Sequence, residues 1–100
     1  MYRVELSQQS IDDLENLADT ISYTYSSPLT SKRYMKGLKA KINSLANNPE
    51  AYPIRFNRSF SQYGTFVRRV NYKKMAIIYS VDDNTVCIQR VIASSLITEL

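Results

Sequence analysis

The chain has 100 residues, of which 44% are hydrophobic and 22% are charged. It has a net charge of +4 and contains no histidine. This length supports one packed core, so we expect a single domain spanning residues 1–100. The lack of histidine excludes the usual catalytic triads and the commonest zinc ligand, and one cysteine, Cys87, excludes an intrachain disulfide or a cysteine zinc cluster. We therefore predict no bound metal and no cofactor.

Membrane association is not expected from the sequence. Apolar residues nowhere run for the roughly 18 positions that suggest a membrane span, and the first residues lack the apolar stretch of a signal peptide. We therefore expect a cytoplasmic protein with no membrane partner.

The charge is unevenly distributed along the chain. Residues 1–27 carry five acids against one base, residues 28–74 carry eleven bases against one acid, and residues 75–100 carry three acids against one base. The net charges of the three segments are therefore −4, +10 and −2. A central excess of this size suits a surface that binds a polyanion or an acidic protein, and a solvated lysine-rich helix face is the alternative.

The first half of the chain is predicted to be a strand followed by two helices. Residues Tyr2–Leu6 alternate apolar and charged side chains, which is typical of a half-exposed strand. Ser7 suits the N-cap of a first helix that runs to about Ser26, because apolar residues recur there at three- and four-residue spacing. Ser27-Pro28 then starts a second helix, which Asn47-Asn48-Pro49 ends. The tight joint between the helices predicts an antiparallel hairpin.

The second half is predicted to be a loop followed by three strands. Residues 49–64 show no clean period and are interpreted as a loop, with a short strand within it as the alternative. The runs 65–70, 75–81 and 85–92 are apolar or alternating and are separated by turn residues, which predicts an antiparallel meander whose middle strand is buried on both faces. The predicted fold class is α+β, in which an N-terminal strand and a two-helix antiparallel hairpin pack on a twisted antiparallel sheet completed by the C-terminal meander.

Basic and tyrosine side chains are the groups available for chemistry. RNA cleavage can proceed without histidine or metal if cations stabilise the phosphorane and a tyrosine or lysine moves a proton, and the same residues also suit plain binding. Arg68 and Arg69 are strand neighbours and should point to opposite faces, whereas Tyr79 is assigned to the core. The candidate residues are Arg55, Arg58, Arg68, Arg69, Tyr72, Lys73, Lys74 and Arg90.

Several short groups of residues, in a fixed order along nearly the whole chain, carry a family resemblance. They are Tyr2-x-Val4-x-Leu6-Ser7 leading into Asp13-Leu14, then Leu45-x-x-Asn48-Pro49-x-x-Tyr52-Pro53, and Val67-Arg68-Arg69-x-x-Tyr72-Lys73-Lys74 running into Ile77-x-Tyr79-x-Val81-Asp82 and Val86-x-Ile88-x-Arg90-Val91. In these motifs and their order, the chain resembles the RelE/ParE superfamily of bacterial toxins. These are the toxic halves of type II toxin–antitoxin systems, often called plasmid stabilisation proteins.

The resemblance implies a growth-inhibiting toxin that is neutralised by an antitoxin encoded beside it. An acidic or amphipathic segment of the antitoxin would wrap the basic groove. RelE-like members of the superfamily cleave messenger RNA in the ribosomal A site, whereas ParE-like members poison DNA gyrase.

The resemblance to the two branches differs at particular positions. Arg69 matches one basic position of the RelE catalytic strand, but Val67 and Ala76 stand where RelE-like members carry bases. Residues 91–97 also lack the histidine-glycine-arginine type of segment that follows the last strand in many members. The long first helix and the paired arginines before Tyr-Lys-Lys resemble ParE-like members.

Three functional hypotheses follow from the resemblance together with these residues. The leading one is a ParE-like toxin that binds DNA gyrase, with target or antitoxin contacts drawn from Arg55, Arg58, Arg68, Arg69, Lys73, Lys74 and Arg90. The second is a metal-independent, ribosome-dependent mRNA endoribonuclease, for which the candidate catalytic residues are Arg69 and Tyr72. The third is a nontoxic protein that keeps only the antitoxin groove. The sequence does not determine whether the protein forms a homodimer, because the apolar helix stripes could pack on the sheet, on a partner or on a second copy.

Overall fold

The computed structural model describes residues 1–97 and contains one sheet with two helices packed on it. Its strands are β1 (Arg3–Leu6), β2 (Arg68–Tyr72), β3 (Met75–Asp82) and β4 (Thr85–Ala93). Its helices are α1 (Gln8–Tyr25) and α2 (Pro28–Ser44), and short 3-10 helices lie at Pro49–Ala51, Arg58–Tyr63 and Ser94–Leu96. The predicted α+β fold class is confirmed. Within residues 1–97, neither helix has the length and apolar character needed to cross a membrane.

The four strands form one sheet in the order β1-β4-β3-β2. Strands β2, β3 and β4 pair antiparallel, which confirms the predicted meander. Strand β1 runs parallel to β4, so the sheet is mixed and not wholly antiparallel as the sequence suggested. Parallel neighbours need a long connection, and here the helical hairpin and the first two meander strands lie between β1 and β4.

The two helices begin where their capping residues predict. The Ser7 hydroxyl accepts a hydrogen bond from the Ser10 backbone N–H at 3.0 Å, and the Ser27 hydroxyl accepts one from the Thr30 N–H at 3.3 Å. Between the helices, Ser26 takes a left-handed conformation with φ 50° and ends α1. The chain therefore reverses over two residues, which confirms the predicted tight hairpin.

Two predicted boundaries differ from the structure for local reasons. Helix α2 ends at Ser44 and not at Asn47, because backbone N–H groups of residues 45–47 bond carbonyl oxygens three residues earlier and tighten the chain into a turn. Strand β2 begins at Arg68 and not at residue 65, because Phe66 has φ 53° and cannot continue an extended strand.

The main core lies between the helical hairpin and one face of the sheet. Leu14 and Ile21 of α1 and Leu38 and Ile42 of α2 belong to one buried cluster with residues of β3 and β4. All five residues of the segment 75–79 are buried, which confirms the prediction that the central strand is buried on both faces.

A second, smaller core covers the opposite face of the sheet. Phe60 and Val67 pack there on Ile78, and Ile97 packs against this cluster. Phe60 comes from the 3-10 helix Arg58–Tyr63, in the segment that the sequence analysis interpreted as a loop. The segment therefore has a structural role, because it shields the sheet face that the helices leave uncovered.

Tyr79 links the core to the chain segment after α2. Its ring is fully buried, which confirms its assignment to the core, and its hydroxyl donates a hydrogen bond to the Pro49 carbonyl oxygen. Burial raises the pKa of Tyr79 to about 12, since the charged phenolate is disfavoured away from water.

Substituting Tyr79→Phe should change how stability depends on pH. The folded pKa of about 12 lies above the ordinary tyrosine pKa of 10.0, so the wild-type stabilisation is complete below pH 10 and is lost as the pH rises through 12. A shift of this size corresponds to about 2–3 kcal/mol of unfolding free energy. We expect the variant to be about 1 kcal/mol less stable at pH 8, through loss of the hydrogen bond, and equal to or more stable than wild type above pH 11.

Urea denaturation of the two proteins from pH 8 to pH 12 measures this difference. Tyr23→Phe is the control for general alkaline effects, because the Tyr23 side chain is 89% exposed. A constant gap between wild type and Tyr79→Phe across the whole pH range would contradict the prediction.

Candidate functional site

Arg68 lies on the face of the sheet that the helices cover. It pairs across the strands with the buried Tyr79. Its Nη1 donates to the carbonyl oxygen of Tyr52 at 2.6 Å and to that of Glu50 at 3.2 Å. Arg68 thereby fixes the segment after α2 against β2, and its role as a partner contact stays a prediction.

Arg69 and Arg90 share the opposite face of the sheet. Register pairs Arg69 with Ile78 and Ile78 with Arg90, so the three side chains form one row across β2, β3 and β4. Arg69 is half-buried, and its Nε donates to the Asn71 Oδ1 at 2.9 Å on the same face. The structure thus brings two of the predicted site residues together on one face, with a buried isoleucine between them.

Arg90 is bound to an acid that the sequence analysis did not select for the site. Its Nε and Nη2 donate to the two carboxylate oxygens of Asp13 at 2.7 and 3.0 Å. The Asp13 carboxylate also accepts the Val91 backbone N–H at 2.9 Å. The hydrogen bond between Asp13 and Arg90 is the main reason why the pKa of the Arg90 guanidinium lies above its ordinary value.

The position of Asp13 follows from the length of β1. That strand ends at Leu6, paired with Ile88, so β4 continues past it toward Ala93. Asp13 satisfies the Val91 N–H in the stretch that β1 no longer covers. A carboxylate in the second turn of α1 therefore replaces a missing strand partner and joins α1 to β4.

Lys73 and Lys74 form the turn between β2 and β3, and Lys73 contacts an aromatic pair. Lys73 has φ 51°, and its Nζ lies 5.4 Å from the ring centre of Tyr34 and 5.5 Å from that of Tyr72. The two rings meet edge to face at 5.4 Å. Burial, followed by the proximity of neighbouring tyrosines, raises the pKa of Tyr34.

The two candidate catalytic residues, Arg69 and Tyr72, are not brought together. Tyr72 packs against the main core on the helix side of β2, whereas Arg69 shares the opposite face with Ile78. The Tyr72 hydroxyl lies so close to Gly37 of α2 that a Cβ at that position would overlap it. Tyr72 is therefore docked on the second helix.

Arg55 and Arg58 lie in the segment that precedes β2, beside exposed aromatic rings. The backbone N–H of Arg55 donates to the Val67 carbonyl oxygen at 2.8 Å, which fixes this segment alongside the start of β2. Both arginines line a recess of about 470 Å³ together with Phe56 and Phe66. The sequence analysis noted the bases but missed the convergence of the two phenylalanines, because they are ten positions apart in the chain.

A groove between the two helices is a second surface that sequence reasoning missed. It has a volume of about 680 Å³ and an apolar floor that includes Leu14, Ala18 and Met35. The basic residues at the groove are Lys32, Lys36 and Lys39. The helix stripes indicated the buried faces, but the groove exists only because the two helices pack side by side.

Comparisons with known proteins are consistent with this architecture. A sequence model of the family described as ParE toxin of type II toxin-antitoxin system, parDE, matches residues 4–95. No curated protein sequence matches the chain. Among solved structures, a chain described as "Chromosomal ParDE TA system from P. aeruginosa" is similar with a TM-score of 0.76 and 13% sequence identity, over 93% of this chain and 96% of that chain. That likeness shows the shared fold, and the family match spans nearly the whole sequence. The chain therefore belongs to the ParE toxin family of type II toxin–antitoxin systems.

Proposed function

We propose that this chain is the toxin of a toxin–antitoxin pair, that it inhibits growth by binding DNA gyrase, and that a cognate antitoxin neutralises it. The observation that carries the proposal is the ParE toxin family match over residues 4–95. The similar solved structure is described as a ParDE TA system, which supports an antitoxin as a partner.

The proposed target surface is the basic region on and before β2. Residues 51–81 contain six bases and no acid, so their positive charge is not balanced within the segment. Such a surface attracts an acidic partner and orients it during encounter. The proposed contacts are Arg55, Arg58, Arg69, Lys73 and Lys74, of which Arg69 also bonds Asn71 through its Nε. Arg68 and Arg90 add charge beside them, and their guanidinium groups bond the Tyr52 carbonyl oxygen and the Asp13 carboxylate.

The separation of Arg69 from Tyr72 favours binding over RNA cleavage. A cleavage site needs its cation and its proton-transfer group within reach of one phosphodiester. Arg69 and Tyr72 lie on opposite faces of β2, and the Tyr72 hydroxyl packs on Gly37. This geometry supports a toxin that acts by occupying its target.

The helical groove is the proposed antitoxin surface. Its apolar floor suits the apolar side of an amphipathic segment, and Lys32, Lys36 and Lys39 suit acids along the edges of that segment. An acidic amphipathic helix or strand of the antitoxin would therefore bind here and cover the groove.

Pulse-labelling of DNA and protein synthesis, minutes after tightly controlled induction in bacteria, tests the proposed target. We expect DNA synthesis to stop first, with a DNA-damage response. An early stop in protein synthesis would instead indicate ribosomal mRNA cleavage. Unchanged labelling and continued growth would indicate a nontoxic member of the family.

Two triple charge reversals separate the proposed surfaces. The variant Arg69→Glu/Lys73→Glu/Lys74→Glu should lose toxicity, because it repels the acidic target. The variant Lys32→Glu/Lys36→Glu/Lys39→Glu makes the same change in net charge on α2, and it should stay toxic but escape neutralisation by the co-expressed antitoxin. Equal loss of toxicity in both variants would show that net charge, and not this surface, determines the effect.

A further inference from the structure

Two exposed phenylalanines form a patch that the fold itself does not use. The Phe56 side chain is 79% exposed and the Phe66 side chain is 64% exposed. With Arg55 and Arg58 they line the recess described above, and these four residues are called the aromatic patch. Large apolar side chains that are exposed together at a recess are typical of binding sites.

The backbone holds the aromatic patch in place at an energetic cost. Phe66 has φ 53°, a left-handed conformation that costs a bulky residue about 1–2 kcal/mol. The chain directly after Phe66 is fixed to the chain directly before Phe56, because the Arg55 N–H bonds the Val67 carbonyl oxygen and Ile54 bridges to Arg68. Local strain that the surrounding structure maintains is concentrated at functional sites in proteins.

The composition of the aromatic patch fits a protein partner that carries carboxylates. Phenylalanine and arginine are both enriched in the central parts of protein interfaces, where lysine is depleted. Arg58 is exposed, and its planar guanidinium group suits bidentate binding of a carboxylate.

The shape of the patch favours a protein over a nucleic acid. Single-stranded nucleic acid binds along basic grooves in which successive exposed rings stack on successive bases. Here Phe56 and Phe66 instead border a single open recess, which also includes Phe60 and Ser61. A recess of about 470 Å³ suits insertion of apolar side chains from a protein partner.

We infer that the aromatic patch docks an acidic segment of the target protein that inserts an apolar side chain between Phe56 and Phe66. This inference rests on the proposed function, under which the target is DNA gyrase. It assigns the target to the aromatic patch and leaves the groove between α1 and α2 to the antitoxin. One toxin molecule would then have two separate protein-binding surfaces.

Binding of the purified toxin to purified DNA gyrase tests the inference. We expect Phe56→Ala/Phe66→Ala to weaken that binding at least tenfold and to abolish growth inhibition, because exposed aromatic anchors dominate interface energies. The matched control is Tyr23→Ala/Tyr25→Ala, which removes two rings that are 89% and 63% exposed at the end of α1. The control should bind gyrase and inhibit growth like the wild type.

Two further measurements make the result specific to the patch. Affinity of the double phenylalanine variant for the antitoxin should equal that of the wild type, which shows that the variant is folded. A 20-nucleotide single-stranded DNA should bind no more tightly to the wild type than to the double phenylalanine variant. Loss of DNA binding in that variant would overturn the inference in favour of a nucleic-acid site.

The outcomes separate this inference from the proposed function. If the wild type binds gyrase and the double phenylalanine variant binds it equally, the inference is wrong and the proposed function stands. If the wild type is toxic without binding gyrase and the variant is nontoxic, the patch is supported and gyrase is not the target. A wild type that is neither toxic nor bound to gyrase overturns both.

Discussion

Substitution Asp13→Ala is expected to lower the free energy of unfolding by about 2–4 kcal/mol. The side chain of Asp13 is only 14% exposed and that of Arg90 is 31% exposed, so the pair is partly shielded from water. The change removes a bidentate ion pair and leaves the Val91 N–H without its acceptor. Thermal and urea denaturation followed by circular dichroism measure the effect.

The adjacent Asp12 provides a matched control on the same helix. Its side chain is exposed and accepts one hydrogen bond from Gln8 at 3.0 Å, so Asp12→Ala should change stability by no more than about 0.5 kcal/mol. A double-mutant cycle of Asp13→Ala with Arg90→Ala should show a coupling energy well above 0.5 kcal/mol. Equal effects of Asp12→Ala and Asp13→Ala would refute the role of Asp13 as the link between α1 and β4.

Substitution Phe60→Ala is expected to destabilise the protein by about 3–5 kcal/mol. Phe60 is fully buried and is the largest side chain of the second core, where it packs with Val67 and Ile78. Its removal leaves a cavity under the 3-10 helix Arg58–Tyr63 and exposes the sheet face that the helices do not cover. Urea denaturation should show a lower midpoint.

Phe56→Ala is the control for the loss of a phenyl ring in the same segment. Because the Phe56 side chain is 79% exposed, its removal should leave the unfolding free energy within about 0.5 kcal/mol of wild type. The two substitutions therefore separate stability from docking: Phe60→Ala should act on the fold, and Phe56→Ala on partner binding alone. A stable Phe60→Ala variant would show that the second core contributes little to the fold.

The candidate site shows where sequence reasoning succeeds and where it stops. Adjacent residues in a strand point to opposite faces, so the separation of Arg68 from Arg69 follows from local geometry. The same rule applies to Arg69 and Tyr72, which are three positions apart. The partners of these residues do not follow from it, because the Glu50 and Tyr52 carbonyl oxygens reach Arg68 only when the segment after α2 folds back on β2.

The sequence by itself determined the order and type of the main elements, since capping serines, apolar periodicity and turn residues act within a few positions of one another. It also determined the uneven charge distribution and the family, because both the positions of the charged residues and the order of the motifs are properties of the sequence itself. Only the tertiary structure decided the parallel pairing of β1, the tie between Asp13 and Arg90, and the convergence of Phe56 with Phe66. These contacts join residues far apart in the chain, and their energies depend on the burial and distance that packing of the whole molecule creates.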